Sequence, residues 1–356
     1  MTELLVGTKK GLFVYAGESG GLFELTARAF AGEPVENAIR DPRSGRLLAS
    51  VTNAFYGPKI WFTDGDPEGE WTQAAGVALP EGGDAALARV WTIVAGEDDG
   101  LIYAGGDPGV LFESRDGGAS WKRNGALWEH PTRPTWQAGG GGLCLHSIVP
   151  WPGDPDRLAL GISAAGVWLT DDGGATWSRG NAGLVPRYVP EETRAESTDL
   201  CVHNLQRAPQ DPRRMFMQFH GGVYRSDDGG ETWTDIAPGL PSDFAFPLAV
   251  DPADPDSAFV IPLTADTDRV TAEGRVRVYE TRDAGASWSA RGDGLPRQDA
   301  YLTVLRHAFA TAAAGPQLEL YFGTTSGHLF GSSDAANTWF EVAQCLPTVH
   351  SVTVAR

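Results

Sequence analysis

Several segments of this chain share an apolar core that is interrupted at one place by a residue able to do acid–base chemistry. The two clearest segments are 143–148 (LCLHSI) and 200–205 (LCVHNL), which align without a gap. Imidazole titrates near neutral pH, so a histidine near a carboxylate can supply a general acid and a general base. The residues at this place in six segments are His146, His203, His350, Glu36, Arg89 and Phe246. The candidate catalytic residues in this set are His146, His203, Glu36 and Arg89.

The same place could hold a divalent transition metal, because imidazole and carboxylate groups bind such ions. The residues predicted for this role are His146, His203, His350 and Glu36. Cys144 and Cys201 each precede a histidine by two residues, so each shares a strand face with that histidine and could join a Cys/His site. The alternative is that the polar side chains are bridged by water and the cysteines pack as small apolar residues. No CxxC or HExxH motif is present, so the sequence leaves both interpretations open.

The elements that would position these residues are marked by a short motif, best preserved at 226–233 (SDDGGETW). In each copy an aspartate stands five residues before a tryptophan, and successive tryptophans are 50 to 56 residues apart. Asp followed by Gly-Gly predicts a tight turn, and the tryptophan predicts a buried anchor. A fixed period of this length indicates a repeat architecture. There are four clear copies and two degraded ones. The Asp and Trp pairs are Asp116 and Trp121, Asp172 and Trp177, Asp228 and Trp233, Asp283 and Trp288, Asp334 and Trp339, and, in a degraded copy, Asp66 and Trp71.

This motif resembles the Asp-box, or bacterial neuraminidase repeat, of sialidases, sortilin-type receptors, xyloglucan-cleaving glycosidases and photosystem assembly factors. The resemblance extends over the whole chain. It implies a β-propeller in which the boxes hold the blades together on the face away from the active site. The box aspartates are therefore expected to be structural, and the box itself does not specify a function.

Sialidase activity is not expected, because the catalytic residues of sialidases have no clear counterparts in this sequence. Sialidases carry an arginine triad, a tyrosine activated by a glutamate, and a Phe/Tyr-Arg-Ile-Pro signature. The nearest trace of that signature is 38–41 (AIRD), and no spacing among the arginines singles out a triad. Other glycosidases need two carboxylates at a cleft, and no spacing pairs two of them here.

The fold class predicted is all-β, a seven-bladed β-propeller of four-stranded antiparallel blades with Asp-box turns. Each repeat shows two hairpin-like strands before the box, one strand upstream and one after the tryptophan. The N-terminal strands and the C-terminal segment are expected to close one blade, which removes an exposed sheet edge. Six blades is the alternative if this composite blade is misread. The single domain 1–356 divides into 1–30 with 347–356, and units near 31–80, 81–130, 140–186, 199–242, 243–297 and 298–346.

Three connections are long, 124–142, 180–199 and 264–274, and long loops in a compact fold usually carry function. The first two enter the first strands of adjacent blades, and they are therefore expected to lie on the face that holds the ligand site of a propeller. A disordered insertion is the alternative for these loops. The residues predicted to contact a ligand are His146, His203, His350, His220, Trp128, Trp136, Arg133 and Tyr188.

Composition limits the partners and the compartment. The 356 residues carry a net charge of −18, which argues against nucleic acid or an anionic membrane as a partner. Three cysteines in a chain of this length are not a disulfide framework, and no apolar run reaches the ~18 residues that span a membrane. A cytoplasmic protein is therefore predicted.

Two functions remain open at this point. The first is a glycosidase-like hydrolase or lyase acting on a small polar or sugar-like ligand at the mouth of the central channel. The second is a non-catalytic propeller that binds a protein or a ligand as a scaffold or assembly factor. Ionisable residues grouped under long loops favour the first, and scattered polar residues around an open channel would favour the second.

Overall fold

The computed structural model describes residues 1–80, 85–314 and 317–355. The predicted units 81–130 and 298–346 and the segment 347–356 contain positions 81–84, 315–316 and 356, which lie outside the described residues. Within the described residues, the strands form seven four-stranded antiparallel sheets. Four helical segments are present, namely α1 (Gly125–Trp128) and the 3-10 turns Arg133–Thr135, Glu191–Glu196 and Ala272–Gly274. None of the described helices is long and apolar enough to cross a membrane.

The blades follow the chain, and each is written from its inner strand outward. Blade 1 contains β1 (Thr2–Thr8), β2 (Gly11–Gly17) and β3 (Phe23–Ala29) outside an inner strand given below. Blade 2 contains β4 (Val35–Arg40), β5 (Leu47–Asn53), β6 (Gly57–Thr63) and β7 (Thr72–Gln73). Blade 3 contains β8 (Arg89–Ala95), β9 (Ile102–Asp107), β10 (Val110–Ser114) and β11 (Lys122–Arg123). Blade 4 contains β12 (Leu145–Trp151), β13 (Asp154–Ile162), β14 (Gly166–Thr170) and β15 (Ser178–Arg179).

The remaining blades repeat this arrangement. Blade 5 contains β16 (Val202–Arg207), β17 (Met215–Phe219), β18 (Gly222–Ser226) and β19 (Thr234–Asp235). Blade 6 contains β20 (Leu248–Val250), β21 (Ala258–Val260), β22 (Val278–Thr281) and β23 (Ser289–Arg291). Blade 7 contains β24 (Phe309–Ala314), β25 (Gln317–Gly323), β26 (Leu329–Ser332) and β27 (Phe340–Ala343). The inner strand of blade 1 is β28 (Val349–Ala355).

Pairing of the two ends of the chain closes the ring. β28 runs antiparallel to β1, with Val352 opposite Val6 and Val354 opposite Leu4. The predicted seven-bladed propeller with a composite blade is therefore confirmed, and the alternative count of six is wrong. The second strands lie between neighbouring blades, which explains why all five residues of β17 are buried. In the sequence, a strand that is buried on both faces appears as a short continuous apolar run.

The Asp-box turns join the third and fourth strands of their blades. In blade 5, Asp228 accepts hydrogen bonds from the backbone N–H of Thr232 (3.0 Å) and from the hydroxyl groups of Ser226 (2.7 Å) and Thr232 (2.5 Å). The indole N–H of Trp233 crosses to the preceding connection and donates to the carbonyl oxygen of Gly180 at 2.8 Å. The box therefore closes its own turn and also links adjacent blades, as expected of a structural motif.

The box aspartates are expected to make stability depend on acid pH. Hydrogen bonds from Thr176 and Thr170 lower the pKa of Asp172 to about 2. Because the folded-state pKa lies below the ordinary value of about 4, this contribution to stability is complete above that pH and is lost as the pH falls towards 2. Asp172→Asn should therefore be less stable than the wild type at pH 7, and the difference should shrink below pH 4.

Denaturant unfolding across this pH range measures the effect. The matched control is Asp171→Asn, because the neighbouring Asp171 is exposed and its carboxylate makes no hydrogen bond within the described part of the chain. A difference between Asp172→Asn and the wild type that stays constant from pH 7 to pH 2 would contradict this role.

Candidate functional site

The aligned places found in the sequence are β-bulges in the inner strands. The pairing of an inner strand with the second strand of its blade skips one residue, and that residue is left unpaired. The skipped residues in five blades are Glu36, Trp91, His146, His203 and His350. In blade 3 the skipped residue is thus Trp91, and the predicted Arg89 lies two residues earlier. A bulge in the same register of each blade gathers these residues at one end of the central channel.

Blade 7 supplies a histidine that the sequence alignment did not include. His307 directly precedes Ala308, whose carbonyl oxygen accepts a hydrogen bond from Gly323 at the end of β25. It therefore takes the place that His350 takes in blade 1. The His307 ring donates to the main chain of blade 4, with Nε2 lying 2.8 Å from the carbonyl oxygen of His146. Burial, followed by the charge of Arg306, lowers the pKa of His307 to about 4.

A cavity of about 450 Å³ opens at this end of the channel. The residues of the long connections that line it are 139–141, Asp266 and Arg269. The segment 139–141 lies on a connection from the fourth strand of one blade to the first strand of the next, and Asp266 and Arg269 lie on a connection from a second strand to a third strand. The boxes instead join third strands to fourth strands. Because successive strands of a blade run in opposite directions, the boxes lie at one end of the blades and these connections lie at the other, so the cavity faces away from the boxes. The inner-strand and loop residues that complete its wall include Glu36, Arg89, Trp91, Cys201, His203, His220, Phe246, Arg306, His307 and His350.

The structure brings five of the predicted site residues to this cavity, namely Glu36, Arg89, His203, His220 and His350. His146 is not among them, although it has the same place in its blade. Its Nε2 lies 2.8 Å from the carbonyl oxygen of Val202 and 3.1 Å from the hydroxyl of Ser163, and the side chain is 1% exposed. Burial, followed by the charge of Arg306, holds the pKa of His146 well below its usual range. His146 is thus a neutral residue that joins blades 4 and 5.

Three residues predicted on the first long connection hold that connection against the blade. The guanidinium of Arg133 lies 3.9 Å from the ring centre of Trp128 and donates to the carbonyl oxygens of Gly109 and Pro108. Trp136 is buried, with its ring centre 4.9 Å from that of Trp168. None of the three lines the cavity. Their contacts show how the loop is ordered, which its polar and glycine-rich sequence does not reveal.

Tyr188, on the second long connection, supports the cavity wall from behind. Its hydroxyl donates to the carbonyl oxygen of Asp199 at 2.7 Å and accepts from the backbone N–H of Cys201 at 2.8 Å. Its ring packs edge-on against His220, with 4.6 Å between the ring centres. Burial raises the pKa of Tyr188, so the hydroxyl stays protonated and can donate. Tyr188 therefore positions Cys201 and His220 without lining the cavity.

Glu36 is the buried carboxylate of the cavity. Its Oε1 lies 3.4 Å from Nε of Arg89, and its Oε2 lies 3.2 Å from Nδ1 of His350. Burial alone would raise its pKa, but the His350 ring and then the Arg89 guanidinium outweigh burial and lower the pKa of Glu36. Glu36 is therefore ionised, and it lies between two side chains from the neighbouring blades.

Glu36→Gln is expected to destabilise the protein by about 2 kcal/mol, because Arg89 and the buried Nδ1 of His350 would lose their anionic partner, and leaving a buried polar group without its partner costs about that much. The amide keeps the volume of the side chain, so the change tests charge and not packing. Urea unfolding measures the free energy of unfolding, and the exposed Glu24→Gln is the control. Equal stability of the Glu36 and Glu24 variants would show that the Glu36 charge is not needed for the fold.

Arg306 brings an uncompensated positive charge to the cavity. Its Nε donates to the carbonyl oxygen of His203 at 3.0 Å, and its guanidinium lies between Trp91 and Phe246, at 5.4 and 5.2 Å from their ring centres. No carboxylate in the described residues forms an ion pair with it. Desolvation lowers the pKa of Arg306, but an arginine so far above neutrality stays charged at pH 7. In the sequence Arg306 is one of several arginines that could supply a guanidinium, and no motif or spacing distinguishes it from the others.

The metal ligand set predicted from the sequence is not assembled. His146 is enclosed between blades 4 and 5, and His350 is next to Glu36. His203 instead lies with Cys201 and His220, whose potential ligand atoms are all within 4.8 Å of one another. Cys144 donates to the carbonyl oxygen of Gly141 at 3.0 Å and is not in that group.

These features define a seven-bladed β-propeller with Asp-box turns and a polar cavity at the channel end opposite the boxes. The BNR/Asp-box repeat family model matches residues 224–235, which include the box of blade 5. No curated protein matches the chain. The resemblance seen in the sequence is therefore confirmed for the repeat and the fold.

Solved structures with a similar fold have different roles. An ancestral GH74 enzyme is 16% identical with a TM-score of 0.59, over 87% of this chain and 38% of that enzyme. The GH74 enzyme of Niastella koreensis is 12% identical with a TM-score of 0.52, over 98% of this chain and 68% of its own. A chain of the mitotic checkpoint complex is 12% identical with a TM-score of 0.53, over 89% of this chain and 80% of its own. At these identities the similarity shows the fold alone, and this chain spans 38% of the length of the ancestral enzyme.

Proposed function

We propose that this protein is a glycosidase-like hydrolase or lyase that acts on a small anionic, sugar-like molecule in the cavity. The observation that carries the proposal is Arg306, a charged guanidinium in the cavity wall that forms no ion pair within the described residues. A buried charge without a partner is costly, and a bound anion would supply the partner. Charge-assisted, two-pronged hydrogen bonding to a carboxylate is the interaction that a guanidinium makes best.

The charges around Arg306 support an anionic ligand. Arg89 and Arg269 also line the cavity, whereas the carboxylates there are Glu36 and Asp266. Glu36 is already occupied by Arg89 and His350, so Arg306 and Arg269 remain for a ligand. The cavity is thus locally cationic in a chain whose net charge is −18. The aromatic rings of Trp91 and Phe246 provide apolar surface on which the face of a sugar ring could pack.

Glu36 and His350 are the groups that would move a proton during turnover. An ionised carboxylate accepts a proton, and the imidazole next to it can donate one, which is the pairing that general acid–base catalysis requires. Both line the cavity and come from the inner strands of adjacent blades, so their separation is fixed by the packing of one blade against the other. The enzymes among the structures of similar fold are consistent with this class of function.

A non-catalytic binding propeller is the second candidate, because the loops on the cavity face expose aromatic side chains. Phe55 is 90% exposed and Tyr56 is 78% exposed on the connection between β5 and β6, and Tyr301 is 65% exposed before β24. Exposed aromatic residues are enriched where proteins bind each other. A chain of the mitotic checkpoint complex shares the fold, so a protein partner is compatible with it.

We also propose a cytoplasmic location. The described cysteines, Cys144, Cys201 and Cys345, are all unpaired, which is typical of proteins in a reducing compartment.

A ligand screen distinguishes these functions. Uronic acids, the matching neutral sugars, and inorganic phosphate are tested for a rise in melting temperature, and oligosaccharides containing uronic acids are then incubated with the protein and analysed for cleavage. Stabilisation by the acids and not by the neutral sugars, together with product formation, supports the enzyme. Selective stabilisation without turnover supports a binding propeller, and equal response to acidic and neutral sugars would overturn the anionic ligand.

A further inference from the structure

Three side chains of blade 5 and its cavity-face loop form a group that the function above does not use. We propose that Cys201, His203 and His220 bind a zinc ion. One ligand atom from each lies within 4.8 Å of the others. A zinc ion bound at about 2.3 Å from sulfur and about 2.0 Å from nitrogen holds tetrahedral ligand atoms about 3.3–3.6 Å apart, so side-chain rotations that bring these atoms roughly 1–1.5 Å closer together complete the site. This site does not depend on the anionic ligand, and it differs from the set predicted from the sequence.

His203 is already oriented as a metal ligand. Its Nδ1 lies 2.6 Å from the carbonyl oxygen of Ala245, so Nδ1 carries the proton and Nε2 has a free lone pair. Nε2 makes no hydrogen bond within the described residues, although the side chain is only 3% exposed. Metal-bound histidines commonly donate their other N–H to a backbone carbonyl, which fixes the tautomer. Burial and the charge of Arg306 hold the pKa of His203 well below its usual range, so the ring is neutral.

Cys201 and His220 are held next to each other by the main chain and by Tyr188. The backbone N–H of His220 donates to the carbonyl oxygen of Cys201 at 3.0 Å, and the Tyr188 hydroxyl fixes the backbone of Cys201. Burial raises the pKa of the Cys201 thiol, although the charge of Arg306 and then a backbone hydrogen bond from Ala164 act in the opposite direction. These two groups would stabilise a thiolate once a cation displaces the proton.

The outer side of the group suits a bound cation. The carboxylate of Asp266 lies 3.7 Å from Nε2 of His220, the kind of outer contact that metal-binding histidines often have. The thiolate and Asp266 offset the positive charge that Arg306 and Arg269 place nearby. All three proposed ligands line the cavity, so the fourth coordination position would open onto it. Three protein ligands and one open position are typical of catalytic zinc sites, and a thiolate with two imidazoles favours zinc over magnesium or calcium.

The test is direct metal binding by the full-length protein after removal of metals with a chelator. Zinc is titrated against a chromophoric chelator, and cobalt is titrated as a spectroscopic substitute whose bond to a thiolate absorbs in the near ultraviolet. The wild type is expected to bind one equivalent of each metal and to show the cobalt–thiolate absorption. Cys201→Ser should lose that absorption and weaken zinc binding by at least about 100-fold.

Cys144→Ser is the matched control, because Cys144 occupies the same place in blade 4 and also precedes a histidine by two residues. It should keep both the stoichiometry and the cobalt absorption. His220→Gln, on a loop outside the strands, provides a second variant with the same readouts if Cys201→Ser does not fold. Absence of stoichiometric zinc binding by the wild type overturns the site, as does zinc binding at wild-type affinity by Cys201→Ser or, where His220→Gln takes its place, by that variant.

Discussion

Arg306→Gln is expected to weaken binding of an acidic sugar by roughly 10- to 100-fold, because a hydrogen bond to a charged group contributes about 1.5–3 kcal/mol and each 1.4 kcal/mol is tenfold in affinity. The variant keeps a polar side chain of moderate length but removes the one cavity guanidinium of the described residues that is neither ion-paired nor exposed. Arg89 is next to Glu36, and Arg269 is exposed and donates to the carbonyl oxygen of Asp266. Calorimetric titration of the acidic sugar found in the screen measures the loss.

Two controls separate the charge of Arg306 from its effect on the fold. Binding of the matching neutral sugar should change little in Arg306→Gln, because that ligand has no charge to lose. Arg179→Gln changes an exposed arginine on the outer strand of blade 4 and should leave the affinity for the acidic sugar unaltered. If Arg306→Gln binds the acid as tightly as the wild type, the anionic ligand is not held by this guanidinium and the proposed substrate class is wrong.

The register of the inner strands could be predicted because it rests on a local pattern. Each bulge lies between apolar residues that point in fixed directions, so aligning the apolar cores was enough to place Glu36, His203 and His350 together. The same reasoning failed in blade 3, where the bulge residue is Trp91. An aromatic residue continues an apolar run, so nothing in the sequence marks it as the interruption. His307 was missed because Arg306 directly precedes it, whereas an apolar residue directly precedes each of the other three histidines.

The different environments of His146 and His203 could not be predicted from their own segments. Both occupy the bulge of an inner strand, yet His146 is enclosed by Ser163 and the main chain of Val202, whereas Nε2 of His203 has no hydrogen-bond partner in the described residues. The difference arises from the next blade around the ring in each case. These contacts join residues that are distant in the sequence, 56 positions apart for His146 and Val202 and 42 for His203 and Ala245. A repeat alignment superimposes the blades without showing what lies between them.

For the long connections, too, the sequence predicted the position of the loop but not which of its side chains reach the cavity. Their length and their place before inner strands predicted the face on which they lie, since that follows from the order of strands. Which of their side chains reach the cavity depends on packing. Arg133 could have contacted a ligand, but two backbone carbonyl oxygens and the ring of Trp128 hold it against the blade. The glycine-rich segment 139–141 reaches the cavity instead.

Trp233→Ala is expected to lower the free energy of unfolding by about 4 kcal/mol, within the range for removing a large buried aromatic side chain. Trp233 is 5% exposed and packs in the apolar cluster between blades 4 and 5. Its indole N–H donates to Gly180 at 2.8 Å, and its backbone N–H donates to the carbonyl oxygen of Ala182 at 2.8 Å. Alanine would leave a cavity and remove the indole bond between the blades. Denaturant unfolding of the purified variant measures the cost.

Trp71→Ala is the matched control, because it removes the same side chain from the degraded box of blade 2. Trp71 is only partly buried, and its indole N–H donates to Pro67 within its own turn at 3.1 Å. Trp71 therefore contributes less buried surface and no hydrogen bond between blades. Its removal should lower the free energy of unfolding clearly less than the removal of Trp233. If the two variants are equally destabilised, the bond from Trp233 to the preceding connection does not add to stability. Since that connection is 180–199, which carries Tyr188, loss of the bond should also make the loop more susceptible to proteolysis in Trp233→Ala than in Trp71→Ala.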